Sequence, residues 1–101
     1  MSRLRWSHRA RRDLLAIGQY IAQNEPVIAR QWVSRLRERA RAAAVMPMSG
    51  RRVPELARDD VREVLVRGYR IVYRVREEEI HVLTVFEGHR LFPWSAILDD
   101  E

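Results

Sequence analysis

The stretch that decides the fold is Tyr69-Arg70-Ile71-Val72-Tyr73-Arg74-Val75. Successive side chains of an extended chain point to opposite faces, so Tyr69, Ile71, Tyr73 and Val75 share one face, and Arg70, Val72, Arg74 and the following Arg76 share the other. The first set suits a core. The second predicts a sheet face lined by fixed positive charge, fit for phosphate or an acidic protein surface. Just upstream, Val61 to Val66 reads as a strand, and Arg67-Gly68 suits a tight hairpin because glycine accepts positive φ. Downstream, Glu77-Glu78-Glu79 makes a second turn and Ile80 to Phe86 forms a mainly apolar strand, expected to lie centrally in the sheet.

Gly88-His89-Arg90 ends that strand. The chain closes with Leu91-Phe92-Pro93-Trp94-Ser95-Ala96-Ile97-Leu98, where Pro93 can open a helical turn, and the acidic Asp99-Asp100-Glu101.

The first half is helical. Leu4 and Trp6 alternate with Arg3 and Arg5 as in a short strand, and Ser7 can cap a helix starting near Arg9. Ala10, Leu14, Ile17 and Ile21 form an apolar stripe at steps of four, three and four, carrying this helix to about Gln23. Asn24-Glu25-Pro26 breaks it, and Pro26 opens a second helix running to about Met46. On that helix Ala29, Trp32, Val33, Leu36, Ala40 and Ala43 face one way, and most of Arg30, Arg35, Arg37, Arg39 and Arg41 face solvent. So short a connection allows only an antiparallel helix hairpin. Met46 to Glu55, with two prolines and a glycine, is a loop that delivers Arg51, Arg52 and Glu55 to the sheet. The expected architecture is α+β: an N-terminal strand, a helix hairpin packed on a small antiparallel sheet, and a short C-terminal tail, within one domain spanning residues 1–101.

At 101 residues the chain can bury one core. Its 47% hydrophobic and 33% charged residues are those of a globular protein. Nineteen basic against fourteen acidic residues leave a net charge of +5, which favours acidic partners. All nineteen are arginine. Arginine's planar fork pairs bidentately with phosphate or carboxylate, but a codon bias gives the same composition. Either way, chemistry needing a titratable lysine is excluded, and the absence of cysteine excludes disulfides, thiol nucleophiles and thiolate metal sites. His8 and His81 lack acidic partners at ligand spacing, so no metal and no cofactor is expected. The amino terminus lacks the apolar core of a signal peptide and no run approaches a membrane span, so no membrane partner is expected and the cytoplasm is the expected compartment.

The ordered set Asp13-Leu14-Leu15-Ala16-Ile17, Pro47, Gly50-Arg51, Val53-Pro54-Glu55, Arg62-Glu63, Tyr69-Arg70-Ile71-Val72-Tyr73 and Gly88-His89-Arg90 resembles the ParE/RelE superfamily of bacterial toxins, and most of all its ParE members, over nearly the whole chain. The resemblance implies a plasmid-stabilisation type of toxin from a type II toxin–antitoxin pair, bound by a cognate antitoxin of ribbon-helix-helix type. It implies one of two targets. ParE-like members inhibit DNA gyrase, whereas RelE-like members cleave messenger RNA on the ribosome.

Under the nuclease alternative, the resemblance carries Glu55 to the general base, Arg70 to the phosphate-stabilising cation and, one position out of register, His89 to the acid. Under the gyrase reading, Arg62, Arg74, Arg90 and Trp94 are the target-binding candidates, since an aromatic anchor beside a cation dominates interface energetics. Leu91, Phe92 and Ile97 either join that edge or close the core. A groove along the helix hairpin, near Leu15, Tyr20, Trp32 and Leu36, is the expected antitoxin seat.

Overall fold

The structure, a computed structural model, describes residues 2–98; the acidic segment 99–101 lies outside the described residues. Its elements are β1 (Arg3–Trp6), α1 (His8–Ala22), α2 (Pro26–Val45), a 3₁₀ turn (Pro47–Ser49), β2 (Arg51–Arg52), β3 (Val61–Val66), β4 (Tyr69–Val75), β5 (Glu79–Glu87) and α3 (Trp94–Leu98). Ser7 caps α1 as its position implies: its hydroxyl accepts from the Ala10 N–H at 2.9 Å and donates to the Leu83 carbonyl at 3.0 Å, tying the helix start to β5. Pro26 occupies the first turn of α2, where a missing N–H costs nothing.

The five strands are ordered β1-β5-β4-β3-β2. The three long strands form the antiparallel meander, with Arg67 and Gly68 at positive φ in the β3–β4 turn. The sheet as a whole is mixed, which corrects the antiparallel expectation: β1 pairs parallel to β5, Leu4 opposite Ile80 and Trp6 opposite Val82. Parallel neighbours cannot be joined by a tight turn, and here α1 through β4 fill the connection. The strand at the middle is β4, with β5 an inner strand between it and β1.

The helix hairpin covers one face. Ala10 and Leu14 of α1, and Leu36, Ala40 and Ala43 of α2, pack on Val64, Val66, Ile71, Tyr73, Ile80, Val82 and Val85. The alanines let α2 lie close to the sheet. Tyr73, fully buried, sends its hydroxyl to the Pro47 carbonyl at 2.7 Å, pinning the chain that leaves α2. Gly50 is obligatory beside it, because a Cβ there would sit 2.3 Å from the Tyr73 oxygen and 2.8 Å from the Glu63 carbonyl. On β5, Ile80, Val82 and Val85 join this core while Leu83 and Phe86 face away; the phase slips by one at a bulge, where Val72 pairs with Thr84 but Tyr73 with Val82.

Asp13 locks α1 to that irregular segment. One carboxylate oxygen accepts from the Thr84 hydroxyl at 2.5 Å and from the Val85 N–H at 3.1 Å. Hydrogen bonds to an ionised acceptor are among the stronger ones. Asp13→Ala is therefore expected to cost about 2 kcal/mol of stability, read as a shift of the urea midpoint at unchanged slope; a shift under a third of that size would show the contact to be incidental.

The opposite face departs most from the sequence expectation. Instead of a solvated row of arginines it carries a second core of Val53, Val61, Val72, Leu83, Phe86 and Ile97, with Leu56 and Phe92 at its margin. Arg70 and Arg74 are both buried. The cause is the chain on either side of the meander: the loop after β2 and the segment Phe92–Ile97 fold over the face that the arginines were expected to hold open.

Candidate functional site

On β3, Val61, Glu63 and Leu65 alternate onto the face away from the helices, and on β4 so do Arg70, Val72 and Arg74. Glu63, only 1% exposed, thereby meets Arg70, whose Nε donates to its Oε1 at 2.7 Å. The other oxygen of Glu63 accepts from Arg51 Nε at 2.6 Å. The terminal nitrogens of Arg70 grip Glu55 bidentately, Nη1 to Oε2 at 2.9 Å and Nη2 to Oε1 at 2.7 Å. Behind it, the Arg70 guanidinium lies over the rings of Phe86 (5.0 Å) and Phe92 (5.6 Å). Two arginines and two glutamates thus form a closed, formally neutral chain from Arg51 to Glu55.

The electrostatics follow from this pairing. The hydrogen bonds from Arg70 hold the Glu55 carboxyl below the ordinary 4.5, against a smaller opposing effect of burial. The same bonds push the Arg70 pKa further up from its already high value. The contribution of Glu55 to folding is accordingly present above pH 4.5 and lost as pH falls through the lowered folded value.

An open pocket of about 490 Å³ adjoins the pair, lined by Pro54, Leu65, Tyr69 and Gly68 beside Arg51 and Arg67. His89, expected to complete a catalytic set, sits on the exposed turn after β5, where the acid beside its Nδ1 is Glu87 at 3.8 Å.

The target-binding candidates separate. Arg62 is engaged in holding the loop before the sheet, donating to the carbonyls of Gly50 at 3.1 Å and Asp59 at 3.0 Å. Arg74 is buried at the far end of β4. Arg90 is exposed, with Glu87 at 3.5 Å, and Trp94 is 48% exposed with its ring edge-on to Phe92 at 4.8 Å. Phe92 and Ile97 close the second core, while Leu91 is 95% exposed. A groove at this end of the molecule is lined by Tyr20, Ile17, Tyr69, Arg90, Leu91 and Pro93.

The hairpin groove expected for an antitoxin is not one surface. Leu36 is fully buried in the main core, because its face of α2 is the one that packs on the sheet, and this corrects its assignment as a contact residue. Leu15 (62% exposed) and Tyr20 (70% exposed) are five residues apart, roughly 140° around a helix, and they line different grooves. Tyr20 faces the Arg90–Leu91 end, whereas Leu15 lies with Leu4, Trp6 and Leu14 in a groove rimmed by Arg5, Arg11, Arg37 and Arg41. Trp32 is half-buried, edge-on at 5.6 Å to Tyr69, a residue of the Tyr20 groove. Glu63 and Arg51 were missed as site residues; an acid inside the apolar alternation of Val61–Val66 was the available signal.

Comparison with known proteins agrees with this architecture. The chain is 36% identical over 92 residues to a protein named Toxin RelE2 from Caulobacter vibrioides, covering 90% of this chain and 100% of that one. It is 36% identical over 93 residues to the putative toxin Y4kP of Sinorhizobium fredii, covering 90% and 93%. A solved structure described as the chromosomal ParDE TA system from P. aeruginosa shares the fold with a TM-score of 0.73, at 23% identity over 86% of this chain and 96% of that one. The family described as the ParE toxin of the type II toxin–antitoxin system, parDE, matches residues 4–92, and the chain belongs to that family.

Proposed function

We infer that this toxin acts by docking on a protein target, DNA gyrase, and not by cutting RNA. The observation that carries the reading is the mutual neutralisation of Glu55 and Arg70. Metal-free RNA cleavage needs a base able to take a proton and a cation free to meet the charge growing on phosphorus. Here the base has its proton affinity lowered by the very cation that would serve the phosphate, and that cation already answers two carboxylates. The exposed edge at Arg90, Leu91 and Trp94 supplies what docking requires, an aromatic and aliphatic anchor beside a positive charge. Arg62, which holds the loop before the sheet, and the buried Arg74 stand apart from this exposed edge.

The cognate antitoxin, of ribbon-helix-helix type, neutralises the toxin through an acidic amphipathic segment. Leu15, exposed and ringed by arginines, is the candidate anchor for such a segment, and Tyr20, with Trp32 beside its neighbour Tyr69, offers a second contact in a separate groove of the hairpin. The cytoplasm, where gyrase works, is the site of action; no described helix is long and apolar enough to cross a membrane.

Purified protein is expected to inhibit gyrase supercoiling. The double variant Arg90→Ala/Trp94→Ala should lose roughly 100-fold or more in potency, as two interface anchors of ordinary strength do, with thermal stability and antitoxin binding retained. Ribosome-dependent cuts in messenger RNA by the parent, absent in Glu55→Gln, would instead establish the nuclease reading.

A further inference from the structure

We propose that the outward face of the helix hairpin binds the backbone of duplex DNA, through a row of arginines along α2 that Arg11 continues on α1. The choice of DNA over RNA rests on the gyrase reading above; the phosphate-binding row itself does not.

The charge of this chain is unevenly placed. Residues 1–50, which form β1, the hairpin and the 3₁₀ turn, hold ten arginines against Asp13, Glu25 and Glu38, while residues 51–101 hold nine arginines against eleven acids. The whole positive excess therefore sits on one layer of the molecule, an asymmetry that suits a polyanion. Within that layer the excess is ordered. Arg30, Ser34, Arg37 and Arg41 follow at steps of four, three and four, which keeps them in one line along the helix, and all four are exposed. Arg30 and Arg37 form no ion pair among the described residues, and Arg41 has only the exposed Glu38 at 3.0 Å. The line runs roughly 16 Å at about 1.5 Å per residue, or about five steps of 3.4 Å along one strand of a duplex. Arg11 joins its end, lining the same groove as Arg37 and Arg41.

The chemistry of the row selects the partner. Identical cations at regular steps, with no acid on the line itself, match a repeating phosphate, which the guanidinium fork grips bidentately. A lipid surface takes a continuous apolar face, but here the exposed Val27 and Val45 stand beyond the two ends of the row, and the polar Gln31 and Ser34 lie among the arginines. A single strand is held by aromatic rings on which its bases stack. The row has none, since Trp32, two residues from Arg30 and so on the far flank of α2, packs against Tyr69. A duplex remains. Its seat is compatible with docking at the Arg90–Leu91 edge, because Asp13 and Tyr20 line that groove whereas Arg11 and Leu15 lie on the other flank of α1. Arg11, Arg37 and Arg41 also rim the groove assigned to the antitoxin, so an antitoxin seated there covers part of the row.

The experiment is fluorescence anisotropy of a labelled, mixed-sequence DNA duplex with the purified chain, without gyrase, over a series of salt concentrations. Four phosphate contacts at about −0.9 each predict a slope of log K against log salt between about −3 and −4. Arg30→Gln/Arg37→Gln should weaken binding at least about tenfold at low salt and flatten the slope by about two. Arg52→Gln/Arg67→Gln removes the same charge from exposed arginines of the sheet half and should bind as the parent does. Circular dichroism checks each fold. The same duplex in RNA, its single strand, and vesicles of phosphatidylglycerol serve as competitors. Equal weakening in the two double variants, a slope shallower than about −1, or tighter binding to any competitor overturns the proposal. A parent that inhibits supercoiling yet prefers the RNA duplex loses this proposal and keeps the gyrase reading, so the two fail separately.

Discussion

Arg70→Ala is expected to lower stability by about 3–5 kcal/mol, the usual cost of removing one partner from a buried ion pair. The substitution strands Glu63, whose side chain is fully buried and would then have only the half-exposed Arg51 for company. It also removes the cation lying over the paired rings of Phe86 and Phe92, loosening the second core where Phe92 meets it. The size of the loss measures an orphaned charge and not the net worth of the pair. The double variant Arg70→Met/Glu63→Leu should accordingly recover most of it, because apolar residues of similar volume often replace such pairs at little or no cost. Urea denaturation at neutral pH reads both. A single variant within about 1 kcal/mol of the parent would mean that water reaches Glu63 and that the network is not closed.

Leu36→Ala is expected to cost roughly 2–5 kcal/mol, the range for truncating a fully buried leucine, while leaving antitoxin affinity unchanged in the folded fraction. Leu36 is 0% exposed and lies between α2 and the sheet, where neighbouring alanines cannot expand to fill its space. Leu15→Asp should do the reverse. At 62% exposure the leucine contributes little to the core, so the fold persists, and a carboxylate facing the apolar floor should weaken capture of an acidic segment by tenfold or more, the equivalent of about 1.4 kcal/mol. Equal antitoxin affinity in Leu15→Asp and the parent would remove this groove from consideration.

These two cases mark what the sequence made legible. Periodicity located every long element, because the stripe Ala10-Leu14-Ile17 and the alternation Tyr69-Ile71-Tyr73-Val75 each bury a single face. It could not tell Leu15 from Leu36, since both lie on or beside an apolar stripe and only the packing direction of the hairpin separates them. The reading of Arg70 and Arg74 as a solvated row failed for a related reason. Alternation states that two sets of side chains face opposite ways, but what covers the second set comes from Val53, Phe92 and Ile97, distant in sequence and without a period of their own. The parallel pairing of β1 was equally out of reach, because a four-residue strand carries no sign of its partner's direction. Glu55 and Arg70 were both singled out as site residues, but their engagement with each other and with Glu63 is a property of the assembled sheet.

The pairing of β1 with β5 also sets an order of events during synthesis. Arg3 lies beside Glu79 and Trp6 beside Val82, so the first strand to leave the ribosome waits for the last before it has a neighbour. Contacts so distant in sequence close late and slow the folding of a chain. A nascent fragment ending before β5 has a helix hairpin but no finished sheet to cover it, and its apolar stripe is open to whatever meets it first. For a toxin, that delay separates translation from potency, an interval in which a partner already in the cell can reach the chain before its sheet is complete.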